Sequence, residues 1–303
     1  MEQLKRPHDS NLITRKYFDS LLIEMRHLGA VKPDTTFELF GENFKTPVMM
    51  AALSHLTNCH PDGLEEMAKG AHDAGAVMFS GMGEDEELER ICKTGAKTIK
   101  IIKPHVDNND ILHEIKVAQD LGCIAVGMDI DHAFNHLGEY DNIFGTCPLS
   151  SKTIDELKLF INSTTLPFVI KGVLSVVDAK LAVEIGAKAI VVSHHHGIMD
   201  FAVPPLMVLP DIVKAVGDKI PIFVDCGVES GMDVYKALAL GATAVSVGRA
   251  MMKPLKEQGA KGVTLKIEEM TASLKGTMAR TAVTNLSEMD ASVIYKTNNY
   301  HNG

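Results

Sequence analysis

The sequence predicts a single domain of the (β/α)8 TIM-barrel class with an N-terminal hairpin and helical extension. Eight short segments rich in Val, Ile, Ala or Met have strand length, and helical patterns fill the intervals between them. Glycines mark helix-to-strand turns in AGAV, LGCI, IGAKAI and LGATAV. Eight evenly spaced strand–helix units favour closure into a barrel over an open sheet. The strands are expected at residues 48–53, 76–80, 98–102, 124–129, 167–171, 189–193, 220–225 and 243–247.

The 303 residues fit one barrel domain with an extension at each end. We expect residues 1–46 to form the N-terminal extension, 47–252 the barrel core and 253–303 C-terminal helices and a tail. In the extension, TTFELFGENFKTP indicates a hairpin that turns at residues 41–43 and could plug the barrel bottom. The clearest helical patterns lie at residues 61–74, 84–94, 110–121, 151–162, 176–185, 206–216 and 231–239.

Composition narrows the classes of partner. Lys and Arg number 30 against 39 Asp and Glu, and this net charge of −9 argues against nucleic acid and anionic membranes as partners. No apolar run approaches the roughly 20 residues of a membrane span, and MEQLKRPHDSNL lacks the apolar core of a signal peptide. Five scattered cysteines without a CxxC pair suggest reduced thiols. We therefore expect a cytoplasmic protein.

Two glycine-containing loops indicate a phosphate site. In α/β barrels the site lies at the C-terminal ends of the strands, and phosphate often binds after strands seven and eight. There the sequence has VDCGVESG and VSVGRA, in which Gly227 and Gly248 allow close backbone approach and Arg249 offers a bidentate contact. Glycines that merely form tight turns would explain either loop alone. The two together favour a phosphate ligand.

Other polar residues end the fifth and sixth strands. Lys171 ends the apolar strand LPFVIKG, and a buried ammonium there needs an anionic partner or ligand. SHHHG ends the sixth strand, where alternation along a strand would place His195 on the opposite face from its two histidine neighbours, facing the site as a base. A structural histidine triplet and a metal site of His55, Asp131, His132 and His195 are alternatives. HExxH is missing, and we expect no metal.

With these motifs in place, residues 167–249 resemble the FMN-dependent 2-hydroxy-acid oxidases and dehydrogenases, such as glycolate and lactate oxidase. The matching segments are VIKGVLSVVDAKLAVEIGAKAIVVSHHHG and LPDIVKAVGDKIPIFVDCGVESGMDVYKALALGATAVSVGRA, in the same order and spacing. Weaker matches precede them in KTPVMMAALSHLTNCHPDG and AGAVMFSG. The resemblance implies FMN as cofactor, a barrel fold and a homo-oligomer, often a tetramer.

The resemblance also implies roles for individual residues. His195 would take the substrate hydroxyl proton, and Lys171 would lie beside the flavin N1 and O2 edge. The implied cofactor-binding set is Ala51, Ala52, Ser80, Lys100, Asp129, Lys171, Ser193, Asp225, Gly227, Gly248 and Arg249. His55, His132 and Ile198 are candidates for the substrate pocket.

The chain departs from the family pattern around the substrate. Ile198 occupies the position of an arginine that binds the substrate carboxylate, and DIDHAFNHLGEY lacks the second such arginine. Glu229 stands where the family has a phosphate-binding arginine. Charge-assisted carboxylate recognition is lost with the two arginines. We therefore expect an FMN oxidoreductase with a changed substrate. A flavin-dependent isomerase of the type 2 isopentenyl diphosphate isomerase kind, a non-catalytic flavin or metabolite binder and a metal-dependent hydrolase remain as alternatives.

Overall fold

The computed structural model describes residues 8–143 and 145–297, and its centre is a closed barrel of eight parallel strands. The first strand pairs with both the second and the eighth, which closes the barrel and confirms the predicted (β/α)8 class. The strands are β1 (Val48–Leu53), β2 (Met78–Ser80), β3 (Thr98–Ile102), β4 (Ala125–Asp129), β5 (Phe168–Val173), β6 (Ala189–Val192), β7 (Ile222–Val224) and β8 (Ala244–Val247).

Helices surround the barrel, and local sequence explains where several of them begin. Thr153 and Ser230 each form a capping box with an acidic residue three positions later. The last helix begins at Arg249, inside the range predicted for the barrel core, and it kinks at Gly259. The helices are α1 (Ser10–Ser20), α2 (Gly63–Ala74), α3 (Asp85–Lys93), α4 (Asn108–Asp120), α5 (Ile154–Asn162), α6 (Val176–Glu184), α7 (Pro205–Val216), α8 (Gly231–Ala239) and α9 (Arg249–Arg280). Within residues 8–143 and 145–297, no helix is long and apolar enough to cross a membrane.

The predicted hairpin forms from strands Phe37–Leu39 and Glu42–Phe44. Leu39 and Phe44 pack into the apolar cluster that fills the barrel interior, so the hairpin closes one end of the barrel. The predicted turn at residues 41–43 is wrong. The turn residues are Phe40 and Gly41, both with positive φ, as a two-residue hairpin turn that follows strand twist requires.

The helical part of the predicted N-terminal extension is α1, which packs on the face of the barrel that carries the strand C-termini, where Thr14 contacts His194. Two other features of the fold were not predicted. Strand Leu21–Ile23 pairs antiparallel with Ile294–Lys296, so the two ends of the domain are joined. The loop after β4 contains a small hairpin, Asn142–Ile143 with Cys147–Pro148.

Candidate active site

A buried carboxylate between two ammonium groups lies where β3, β4 and β5 end. Asp129 accepts hydrogen bonds of 2.7 Å from Lys103 and from Lys171, one on each carboxylate oxygen. All three side chains are buried. Burial alone would raise the pKa of Asp129, but the two ammonium groups outweigh it and lower that pKa well below its usual range. Burial acts to lower the pKa of Lys171, and the carboxylates of Asp129, Asp131 and Asp225 reverse this.

His195 is oriented by a carboxylate beside this cluster. Its Nδ1 lies 2.9 Å from Oδ1 of Asp131 and 3.5 Å from Nζ of Lys171. Because an ionised carboxylate only accepts hydrogen bonds, Nδ1 must carry the proton and donate it to Asp131. Nε2 is then left with its lone pair, and no hydrogen bond to it is found within residues 8–143 and 145–297. The arrangement presents one basic nitrogen, as a general base requires.

Gly172 makes room for this carboxylate. It follows Lys171 with a φ of 97°, a conformation that side chains disfavour. A Cβ at this position would lie 2.4 Å from Cγ of Asp131. The glycine in LPFVIKG therefore lets the end of β5 pack directly against Asp131 and hold it near His195.

The three consecutive histidines do not alternate as a strand would. Strand β6 ends at Val192, and His195 and His196 both have positive φ, at 46° and 58°. His194 turns inward, where it is buried and contacts Thr14 at 2.8 Å. His196 lines the same cavity as His195. The predicted opposition of His196 to His195 is thus wrong, because the chain leaves the strand before the histidines begin.

One cavity brings together most of the predicted cofactor-binding residues. It lies over the ends of β1, β5, β7 and β8 and the loop after β6. From the predicted cofactor-binding set, it is lined by Ala51, Ala52, Lys171, Asp225, Gly227, Gly248 and Arg249. It is also lined by the predicted base His195 and by Leu53, His196, Cys226, Val228, Glu229 and Ser246. Burial, then Asp225, raises the pKa of Cys226 to about 11, so this sulfur stays a thiol at neutral pH.

Four residues of the predicted set do not line this cavity. Ser80 and Ser193 are buried, and the hydroxyl of Ser193 accepts a hydrogen bond from the backbone N–H of His195. Asp129 does not line the cavity itself but accepts hydrogen bonds from Lys103 and Lys171. Lys100 faces the helix layer, where it donates to the carbonyl of Gly81 and pairs with Glu114 at 3.2 Å. Its neighbours Ile99 and Ile101 fill the barrel interior instead, so this geometry does not support a cofactor contact for Lys100.

The three substrate-pocket candidates occupy different places. His132 accepts a 2.9 Å hydrogen bond from Lys103, lies 3.2 Å from Asp141 and packs its ring edge-on to that of His195. Burial, then Lys103, lowers the pKa of His132. His55 lines a separate groove together with Glu84 and Cys147. Ile198 is 41% exposed on the loop after β6.

Two of the residues that build this site were not assigned these roles from the sequence. From the sequence, Asp131 is a strand-end residue considered as a metal ligand, and Lys103 is a strand-end residue with no partner assigned. The spacing Asp129-Ile130-Asp131 could have predicted the role of Asp131. Alternate residues of an extended chain share a face, so both carboxylates could point toward the site and the second could reach His195. Lys103 is one residue past β3 and reaches Asp129 only because β3 and β4 are neighbours in the barrel.

Asp129, Asp131 and His195 have ligand atoms within 4.8 Å of one another, which is close enough for a metal ion. Both oxygens of Asp129, however, already bind ammonium groups at 2.7 Å. A metal ion would have to displace two buried cations, at a large electrostatic cost. The cluster therefore favours proton transfer over metal binding.

The far end of the cavity fits an anionic group. The guanidinium of Arg249 forms no ion pair with any carboxylate in the part of the chain that the structure describes, and its side-chain contact is with Asn11 at 3.1 Å. Gly227 has a φ of 80°, and the backbone of Gly248 leads into helix α9. A charged donor, glycines and a helix start are the elements of a phosphate site. Together with the buried lysine and the histidine–carboxylate pair, they define a barrel enzyme that uses a phosphorylated cofactor.

Comparison with known proteins identifies the family. A model of the FMN-dependent dehydrogenase family matches residues 9–151 and 142–296. Glycolate oxidase 3 of Arabidopsis thaliana is 30% identical over 312 residues, which cover 91% of this chain and 84% of the relative. Glycolate oxidase of Spinacia oleracea is 29% identical, with 92% and 86% covered. The crystal structure of mandelate oxidase has a TM-score of 0.87 at 28% identity, with 96% of this chain and 91% of the other covered.

The chain therefore belongs to the FMN-dependent dehydrogenase family, as the resemblance of residues 167–249 predicted. It is an FMN-dependent oxidoreductase, and FMN is its cofactor.

The role of Arg249 can be tested directly. Replacing Arg249 with alanine removes a charged hydrogen-bond donor and should weaken FMN binding by about 1.5–3 kcal/mol. Fluorescence titration of flavin-free protein with FMN measures this loss. Lys253→Ala, one turn further along α9, is the control, since Lys253 is exposed and pairs with Glu257. Equal FMN affinity for Arg249→Ala and the parent protein would contradict a phosphate role for this arginine.

Proposed function

We propose that this protein oxidises a small hydroxyl-bearing molecule and that His195 is the catalytic base. The observation that carries the proposal is the 2.9 Å contact between Asp131 and Nδ1 of His195, which leaves Nε2 as the basic atom. The relatives are named as oxidases of glycolate and mandelate, both 2-hydroxy acids, and this supports a hydroxyl substrate. FMN, when bound, would supply the acceptor for the hydride equivalent that leaves the hydroxyl-bearing carbon as the carbonyl forms.

The protein's own residues transfer the proton and stabilise the charges that develop. Nε2 of His195 takes the hydroxyl proton, and Asp131 stabilises the imidazolium that results. Lys171 remains an ammonium group at neutral pH because of the carboxylates around it, and its positive charge can stabilise negative charge that develops in the cavity. Asp129 accepts a 2.7 Å hydrogen bond from Lys171 and so holds its ammonium group in place.

The substrate we propose has no simple carboxylate anchored by arginine. Ile198 carries an apolar, partly exposed side chain at the position of the family arginine. The loop after β4 has no arginine, and its polar side chains nearest to His195 are Asp131 and His132. Lys103 is already shared between Asp129 and His132. A neutral or weakly anionic alcohol fits this lining better than glycolate or lactate.

Simple 2-hydroxy acids should accordingly be poor substrates. In anaerobic stopped-flow mixing, millimolar L-lactate or glycolate should bleach the flavin slowly or not at all, because two charge-assisted bonds of about 1.5–3 kcal/mol each are missing. A panel of neutral alcohols and hydroxy esters screened in the same way should include a faster reductant. Rapid, saturable bleaching by L-lactate would contradict the proposed substrate class, and no bleaching by any alcohol would contradict the proposed oxidation.

We further propose a cytoplasmic, homo-oligomeric enzyme, a tetramer by resemblance to its relatives, that forms one domain and has no nucleic-acid partner. The net charge of −9 supports the exclusion of nucleic acid. All five cysteines are free thiols, and this supports a reducing compartment. Light scattering on the FMN-loaded protein measures the oligomer, and a monomer would contradict this part of the proposal.

A further inference from the structure

A side-chain cluster at the phosphate end of the cavity joins helix α1 to the histidine loop. Oδ1 of Asn11 lies 2.8 Å from Nδ1 of His196 and 3.1 Å from the guanidinium of Arg249. Nδ2 of Asn11 donates to a carboxylate oxygen of Asp9 at 3.1 Å and to the carbonyl of His196 at 3.0 Å. An arginine can only donate and a carboxylate only accepts, so these partners fix which atom of the amide is the oxygen.

This orientation determines what His196 can do. Because Oδ1 of Asn11 only accepts, Nδ1 of His196 must carry a proton and donate it. In the neutral ring Nε2 is then a bare acceptor, which an anionic ligand would repel. The ring can donate from Nε2 only as the imidazolium, with both nitrogens protonated. A phosphate bound beside His196 would therefore be recognised by a second cation next to Arg249.

We propose that the imidazolium of His196, positioned by Asn11, binds the phosphate of FMN. It would supply the positive charge that is lost because Glu229 stands where the family has an arginine. The inference rests on the assignment of FMN as cofactor. His196, Arg249 and Glu229 line the same cavity. Glu229 is exposed, and its backbone N–H donates to Asp233. Arg15 donates to the carbonyl of Gly227 but does not line the cavity, whereas His196 and Arg249 do and contact the same oxygen of Asn11.

The backbone at His196 supports a role for its side chain. Its φ of 58° lies in the left-handed region, where glycine is comfortable and most other residues are strained. The conformation is held by a 3.3 Å contact from its N–H to the sulfur of Cys226 and by the bond from Asn11 to its carbonyl. These contacts fix the backbone of His196 and with it the position from which the imidazole enters the cavity.

Several charges act on this imidazole. In the protein without a phosphate, burial and then Arg249 lower the pKa of His196, and His195 acts in the same direction. Asp9 and Asp225 oppose them. The ring is therefore neutral at pH 7, and the arrival of a phosphate dianion favours its protonation. FMN binding should take up a proton at His196, whereas riboflavin, which lacks the phosphate, should not.

The test compares FMN with riboflavin. In fluorescence titrations of flavin-free protein at pH 7.5, His196→Asn should weaken FMN binding about 10- to 100-fold and leave riboflavin binding unchanged. His196→Gly removes the ring while relieving the backbone and should show the same selective loss. His113→Asn, an exposed histidine paired with Asp85 outside the cavity, is the matched control and should bind both flavins as the parent does.

Calorimetry in two buffers of different ionisation enthalpy gives the second readout. Relative to His196→Asn, the parent should take up additional protons on binding FMN and none on binding riboflavin. Unchanged FMN affinity in both His196 variants, or equal loss of the two flavins, would overturn the proposal. Failure of the parent to bind FMN while binding another phosphorylated ligand would instead contradict the cofactor assignment, so the two failures are distinguishable.

Discussion

Replacing His195 with asparagine should slow substrate-driven flavin reduction about 10²- to 10⁴-fold while FMN remains bound. The amide lacks a basic nitrogen, so the hydroxyl proton has no acceptor at the position of Nε2. FMN should be retained because the proposed phosphate contacts come from Arg249, His196 and the glycine loops. Anaerobic stopped-flow spectroscopy with the alcohol identified by screening measures the rate, and the absorption spectrum measures flavin content.

His132→Asn is the natural control for this variant. His132 packs against the ring of His195 and is bound by Lys103, but it has no carboxylate partner as close as Asp131 is to His195. A modest loss in His132→Asn beside a large loss in His195→Asn would identify the base. Should His195→Asn reduce its flavin as fast as the parent, the proposed mechanism fails, and His132 or His194 would be tested next.

Asp129→Asn should destabilise the FMN-loaded protein by about 3–5 kcal/mol. The substitution keeps the shape of the side chain but leaves two buried ammonium groups, of Lys103 and Lys171, without their shared counter-charge. Urea unfolding followed by circular dichroism measures the change. The exposed carboxylate of Asp85, paired with His113, offers the control Asp85→Asn, which should cost no more than about 1 kcal/mol.

The same carboxylate makes stability depend on pH. Because the pKa of Asp129 is lower in the folded protein than in the unfolded chain, its stabilisation is fully present above the ordinary aspartate range. It is lost progressively as the pH falls through that range toward the depressed folded value. The difference in unfolding free energy between parent and Asp129→Asn should therefore shrink on acidification, and a constant difference from pH 7 to pH 3 would contradict this account.

The barrel could be predicted because its signal is local. Each strand is an apolar run and each helix an amphipathic one, and β1 and β3 have the bounds that the pattern predicted. The sequence signal for the proposed phosphate site was also local, since the glycines and Arg249 directly follow two consecutive strands. Strand Leu21–Ile23 could not be found in this way, because it is three residues long and pairs with a segment more than 270 positions away.

The site was less predictable because its contacts cross from strand to strand. Lys171 and His195 were identifiable as polar residues at strand ends, but their partners Asp129 and Asp131 depend on β4 lying next to β5. Lys100 is a polar strand residue that was predicted to bind the cofactor. Alternation of side chains along β3 instead directs it toward Glu114 and the helices. The strand alternation assumed for His194 to His196 failed in a similar way, because His195 and His196 have positive φ values and do not continue the strand.

The pairing of Leu21–Ile23 with Ile294–Lys296 has a consequence for biosynthesis. Helix α1 leads directly into the first of these strands, and Asn11 and Thr14 on that helix hold two of the three loop histidines. The backbone N–H of Thr297 also bonds to the carbonyl of Ser20, at the end of α1. During translation the helix is made before the barrel, but the segment that secures it is made only after all eight barrel strands. The proposed pocket for FMN is therefore completed only after the barrel has been made, and nascent chains cut short before residue 294 should not retain flavin.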